Sequence, residues 1–207
     1  MQFTDAERSA LFRLLEWRRD VRHFLPDPVP DALVEDLRCA MDLAPSVGNS
    51  RPWRVLSVES AKHRQAVRAI FGEANHRAAS AYQGAQLAHY QSLKLEGIEI
   101  APVQLAIFTA QDPQEGAGLG RRSVPQTLEH STAMAVQNLN LVARSYGLGV
   151  GMVSILDPEA MAQLFAVPAD WRFSLYLCIG WPQHNDSQPL LHRNGWQQNC
   201  QTSWEVV

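Results

Sequence analysis

An α+β fold, with one sheet packed between helices, follows from three observations on this 207-residue chain. Runs that read as strands are separated by helical stretches of unequal length, without the regular βαβ period of a doubly wound sheet. Hydrophobic residues make up 46% of the sequence, ample for a buried core in one domain spanning 1–207. No segment reaches the roughly 20 apolar residues of a membrane span, and Met1 to Asp5 are not followed by a basic patch and an apolar run. A soluble, cytoplasmic protein is expected.

The elements are justified in chain order. Thr4 with Glu7 reads as a capping box, and Leu11, Leu14, Leu15 and Arg18 follow at helical spacing, so the first helix ends on an arginine cluster. Pro30 stands where a first helical residue belongs; Leu33, Leu37, Ala40, Met41 and Ala44 form an apolar stripe that Pro45 closes. Trp53 to Val58 reads as a strand, and Ser60 begins a long helical region that breaks near Gly84 and runs to about Glu96. Val103 to Thr109 is a second strand, Gln111 to Gln126 a glycine-rich loop, and Leu128 to Tyr146 a helix stopped by Gly147. Gly149 to Ile155 is a third strand, Asp157-Pro158 caps a short helix, and Phe173 to Gly180 is a fourth strand. The stretch from Trp181 to Val207 is a polar tail whose Trp196 and Trp204 argue against disorder, so it is expected to wrap onto another surface, a second subunit included.

Charge and cysteine content exclude several classes. The net charge of −3 contains no long run of one sign, which disfavours nucleic acid or an anionic membrane as the main partner. Cys39, Cys178 and Cys200 are odd in number and widely spaced, which suits reduced thiols. The seven histidines never adopt the i, i+4 pairing of a zinc helix, so no metal site is expected. Ser154 lacks the G-x-S-x-G turn of a hydrolase nucleophile, but its hydroxyl could face a ligand. Gly147-Leu148-Gly149-Val150-Gly151 follows a helix and precedes a strand, the reverse of a dinucleotide fingerprint, and reads as a helix cap with close backbone packing. Gly116 to Gly120 reads as a mobile loop.

Arg18-Arg19-Asp20-Val21-Arg22 carries the functional argument. Three planar, permanently charged guanidiniums within five residues match phosphate oxygens. Because a helix C-terminus repels anions, these arginines must turn out of the helix to act as a clamp. The loop Ala44-Pro45-Ser46-Val47-Gly48-Asn49-Ser50-Arg51-Pro52-Trp53 adds hydroxyl, amide and backbone donors suited to polar ligand edges.

Together with Leu93-Lys94-Leu95-Glu96-Gly97-Ile98, Ala135-Val136-Gln137-Asn138-Leu139 and Gly149-Val150-Gly151-Met152-Val153-Ser154-Ile155, these blocks resemble the flavin-binding nitroreductase superfamily. Within it they are similar to the 5,6-dimethylbenzimidazole synthase family, over about Leu15 to Trp196. That resemblance implies a mixed sheet flanked by helices, in an intertwined homodimer with the tail of about 182–207 exchanged and one FMN in each of two interface sites. It implies that Arg18, Arg19 and Arg22 hold the FMN phosphate and ribityl chain, with Asp20 and Val21 beside them. Ser46, Asn49 and their loop would contact the flavin edge, and Met152-Val153-Ser154 would pass beside the ring. Asp20 and Ser154 mark the synthase branch and are its candidate catalytic residues, Asp20 as base or hydrogen-bond acceptor and Ser154 to orient the oxygen adduct or relay a proton.

The implied reaction consumes reduced FMN with O2 and yields dimethylbenzimidazole, the lower ligand of vitamin B12, with erythrose 4-phosphate. A helical excursion at about 72–97 is the candidate lid, and a separate flavin reductase is a candidate supplier of reduced FMN. The rival readings are an NAD(P)H-dependent nitroreductase or flavin reductase using the same clamp, and a non-catalytic flavin-binding protein. The sequence departs from the family pattern at three places: Arg51 replaces a usual Gln, Asn140 a common Trp, and Gln197-Gln198-Asn199 stand where relatives supply an Arg to the phosphate, for which Arg51 is the candidate substitute.

Overall fold

The computed structural model describes residues 1–95 and 97–207; Glu96, where the long helical region was expected to end, lies outside the described residues. Four strands, β1 (Trp53–Ser57), β2 (Val103–Ala110), β3 (Gly149–Val153) and β4 (Trp171–Gly180), form one antiparallel sheet in the order β1-β2-β4-β3. Among the described residues the parallel pairing is an isolated bridge between Asp20 and Val150. The two central strands are buried on both faces and split their side chains accordingly. Leu105 and Ile107 of β2 join one core with Leu177 and Ile179 of β4, while Ala106 and Phe108 join a second core with Tyr176 and Cys178.

Helices α2 (Asp31–Asp42) and α5 (Thr127–Ser145) cover the first core through Leu37, Met41, Ala135, Val136 and Leu139. On the other face, α3 (Ala61–Ala79) and α6 (Pro158–Leu164) bring Val67, Phe71 and Met161 to the second. The expected sheet between helices is what the chain builds. By contrast α1 (Asp5–Trp17) buries none of its residues and leaves Phe12 and Leu11 open. After Ala79 the chain breaks and resumes as α4 (Gly84–Ser92). In the tail, a one-turn helix α7 (Leu190–Arg193) precedes Trp196, which packs edge-on against Tyr82 and His89.

Local chemistry explains the boundaries. The Thr4 hydroxyl accepts from the Glu7 N–H and the Glu7 carboxylate from that of Thr4, which is the expected capping box. Asp157 accepts from the N–H groups of Glu159 and Ala160 to start α6. Pro30 and Ser60 are caps rather than first helical residues, because each keeps an extended backbone. The expected third strand stops at Val153 rather than Ile155: pairing with β4 ends at Val153 and Tyr176, and the exposed Ser154 begins the turn toward Asp157.

A buried polar chain ties the sheet to the segment after Gly97. The Tyr176 hydroxyl donates to Gln104 Oε1 at 2.7 Å, and Gln104 Nε2 donates to the carbonyls of Ile98 at 2.7 Å and Ala101 at 3.1 Å. Every member is matched, which is what makes such a chain tolerable in a core. Burial pushes the Tyr176 phenol pKa well above its usual value.

Candidate active site

The arginine segment leaves α1 in extended conformation from Arg18 onward, as the dipole argument requires. It then lies along the edge strand β3: the Val21 N–H donates to the Val150 carbonyl at 3.0 Å. This approach depends on the glycines of β3. A Cβ on Gly151 would sit 2.3 Å from the Val21 carbonyl oxygen, and one on Gly149 would strike the Val21 side chain at 2.6 Å. The Gly149-Val150-Gly151 run therefore serves close backbone packing.

Side chains then lock the segment. Asp20 Oδ1 accepts from the Met152 N–H at 2.8 Å, its Oδ2 is ion-paired with Arg22, and Arg22 Nη2 donates to the Met152 carbonyl at 3.0 Å. The three residues form a closed set joining clamp to strand. Burial raises the Asp20 pKa, while Arg22, the Met152 N–H and Arg18 pull it down. Its side chain is 45% exposed, so solvent damps that push.

Arg19 turns the other way and donates to the carbonyls of Glu16, Arg18 and Ser187, capping α1 and holding the tail. Burial, and next the like charge of Arg18, lower its pKa, so an anion placed beside it would be favoured. A cavity of about 620 Å³ opens here, lined by Arg19, Asp20, Val21, Arg22, His23, His184, Asp186 and Arg193 among others. Three guanidiniums and two carboxylates are among its lining, with Arg193 ion-paired to Asp186 at 2.7 Å and Arg22 to Asp20. The Nε of Arg19 and Nη1 of Arg22 are buried without a protein partner. Two orphaned cationic donors beside a cavity of ligand size suit a phosphate monoester on a polar chain.

The expected site residues thus divide. Arg19, Asp20, Val21 and Arg22 line the cavity and Met152 is bonded to them, with Val153 buried next to it in β3. Arg18 caps α1 from outside that lining, and Ser154 lies exposed past the strand. Ser46 and Asn49 are not brought to the clamp within one chain. Their loop enters β1 at the opposite edge of the sheet, three strand spacings of roughly 4.8 Å away, and is also displaced along the strands: Trp53 is level with Arg172 of β4 through Thr109, whereas Val150, beside the clamp, is level with Ile179. There the Ser46 hydroxyl accepts from the Arg51 N–H at 3.0 Å and so keeps its own proton to donate. Arg51 is half exposed and 4.0 Å from Asp42. Arg193 and the two histidines of the cavity were missed in the sequence; the sole signal for Arg193 was a basic residue beside the tail tryptophan.

With this geometry in place, the relatives are informative. The Nitroreductase family profile matches residues 15–181. A 5,6-dimethylbenzimidazole synthase of Rhodobacter capsulatus is 55% identical over 205 residues, covering 99% of each chain. A second protein of that name, from Rhodospirillum rubrum, is 44% identical and covers 94% of this chain and 92% of its own. Among solved structures, an iodotyrosine deiodinase bound to FMN and 3-iodo-L-tyrosine superposes with a TM-score of 0.72 at 21% identity, covering 95% and 97% of the two chains. At that identity it speaks for the fold alone.

Proposed function

The chain belongs to the Nitroreductase family, and from that premise we infer that it is an oxidoreductase that makes 5,6-dimethylbenzimidazole from FMN. The carrying observation is the 55% identity to a synthase along essentially the whole of both chains. The donor set around the cavity fits the group that this reaction needs. Reduced FMN supplies the electrons for O2 and the carbon framework from which the benzimidazole is cut.

The residues of the chain have separable tasks in this reading. Arg22 and Arg19, with Arg18 at the helix end, bind the phosphate and ribityl chain, and Val21 holds the clamp against β3. Arg193 supplies the tail contact that the Gln197-Gln198-Asn199 stretch lacks. Met152 and Val153 border the ring, and Ser46 and Asn49 donate to its edge. Asp20 accepts a proton or hydrogen bond at the ribityl side, its position fixed by the Met152 N–H. Ser154, just past β3, relays a proton. The stretch around α4 closes over the site and excludes water.

Because clamp and loop lie at opposite sheet edges, a complete site needs two chains, each giving its clamp to one FMN and its loop to the other. The uncovered face of α1 and the exposed Met134 of α5 suit such a dimer. So does an apolar cavity of about 230 Å³ between α2 and the sheet face, lined by Val34, Leu37, Met41, Val55, Leu105 and Ile179, which can seat a partner's Trp204, Val206 and Val207. Sedimentation should give a dimer, and Phe12→Glu should dissociate it. A separate flavin reductase in the same compartment is the expected source of reduced FMN.

The test of function is anaerobic reduction of bound FMN followed by air. Stoichiometric loss of flavin with appearance of dimethylbenzimidazole is expected. Return of oxidised FMN that then cycles with NAD(P)H would assign a flavin reductase instead, and unchanged FMN without NAD(P)H oxidation a binding protein.

A further inference from the structure

The glycine-rich stretch after β2 is interlocked with the Ser46 loop. Arg121, only 15% exposed, donates to the carbonyls of Gln111 at 3.2 Å and Pro113 at 2.8 Å and pairs with Asp112, so the stretch is braced rather than left mobile. Its turn at Gly116 presses backbone to backbone against the loop. A Cβ on Gly116 would stand 2.5 Å from the Gly48 carbonyl oxygen and 3.2 Å from the Ser50 Cβ. Reciprocally, a Cβ on Gly48 would meet the Leu119 carbonyl oxygen at 3.0 Å, and one on Gly120 the Val47 side chain at 2.8 Å. From the far side the Val47 N–H donates to Ser131 Oγ at 3.0 Å, and that buried hydroxyl donates to the Thr127 carbonyl at 2.6 Å. The loop is held between α5 and a turn that has no side chains where the two meet.

We propose that Gly116 and Gly120 are positioning residues, whose missing side chains let this turn clasp the Ser46–Arg51 loop and set the Ser46 hydroxyl against the flavin edge. This rests on the reading of that loop as a flavin contact. It assigns a task to a motif that fits neither a phosphate loop nor a flexible linker. A displacement of about 1 Å at a reacting centre is enough to lose on the order of 10²-fold in rate, so a clasp of this kind has leverage on the chemistry from outside it.

The structure supplies a matched control. Gly118 has φ +77°, close to the +74° of Gly116, but the nearest atoms a Cβ there would meet belong to the flexible Arg122 side chain, from 2.7 Å, and not to the Ser46 loop. Gly116→Ala and Gly118→Ala therefore share the backbone strain of a left-handed alanine and differ in whether the loop is pushed. Full-length variants would be compared by the affinity and absorbance spectrum of bound oxidised FMN, and by dimethylbenzimidazole formed per FMN lost after reduction and aeration.

Gly116→Ala and Gly120→Ala should alter the bound spectrum and lower product per flavin by about tenfold or more. Gly118→Ala should stay near the parent, and adding Val47→Ala should restore Gly120→Ala. The proposal is overturned if Gly116→Ala matches Gly118→Ala in both readouts, or if Val47→Ala restores nothing; the Gly120 pair decides it should Gly116→Ala not fold. A parent protein that binds FMN but makes no benzimidazole removes the functional reading alone, since the spectra still decide the positioning.

Discussion

The two edges of the sheet are fixed by opposite means. At the β3 edge, clamp and strand are joined by charged side chains: Asp20, Arg22 and the Met152 backbone share three bonds within one small set. At the β1 edge, the Ser46 loop is fixed chiefly by close packing, where a Cβ on Gly116 would strike the Gly48 carbonyl and one on Gly120 the Val47 side chain, with the Val47 N–H bonded to Ser131 behind it. An electrostatic edge tolerates small shifts and responds to pH. A steric edge does neither, because close-packed contacts give way in steps.

The comparison breaks first at Asp20. Asp20→Asn keeps the shape and removes the charge, and should lower dimethylbenzimidazole formation by about 10²–10⁴-fold while FMN stays bound. Full activity in the variant would reduce Asp20 to a structural partner of Arg22. Next, Arg193→Ala should weaken FMN about tenfold, close to 1.4 kcal/mol, and leave riboflavin binding unchanged, as titration of both flavins would reveal. Equal losses for the two flavins would move Arg193 away from the phosphate.

Arg22→Met sharpens the stability side. It strands the Asp20 carboxylate and the Met152 carbonyl, and should cost about 1–3 kcal/mol in urea unfolding, toward the lower end because Asp20 is partly exposed. An unchanged midpoint would mean that the triangle contributes nothing to the fold.

The smallest effect is in pH. Since burial raises the Asp20 pKa, activity that needs the carboxylate should fall off in acid at a higher pH than an ordinary aspartate would give. Stability runs the other way. The folded chain holds that proton more tightly than the unfolded one, so between the ordinary aspartate value and the raised one, unfolding free energy falls as pH rises. Both slopes should vanish in Asp20→Asn, which a pH–rate profile and urea midpoints would check.

What could be read from the sequence follows the same division. The arginine segment was legible as a candidate site because its charges are neighbours in the chain, and Thr4, Glu7 and Asp157 were legible because caps act over three residues. The layered fold was legible in the order of strands and unequal helices and in the apolar stripe of α2. Gly116 was not, since its meaning lies in Gly48, a contact made only after both loops fold. Arg193 was hidden for a related reason: the cavity that it lines is assembled from segments more than 160 residues apart. The end of β3 was placed two residues late because Ser154 and Ile155 carry no local stop signal.

The chain of bonds from Tyr176 through Gln104 to Ile98 also determines where motion can begin. With the Ile98 carbonyl tethered inside the sheet and Phe71 of α3 sunk in the same core, both ends of the excursion that carries α4 are anchored. In the lid role proposed above, any swing of the α4 stretch that admits flavin or frees product would hinge between those anchors, after Ala79 and before Ile98. Such a cover would open and shut while the scaffold beneath it keeps its shape.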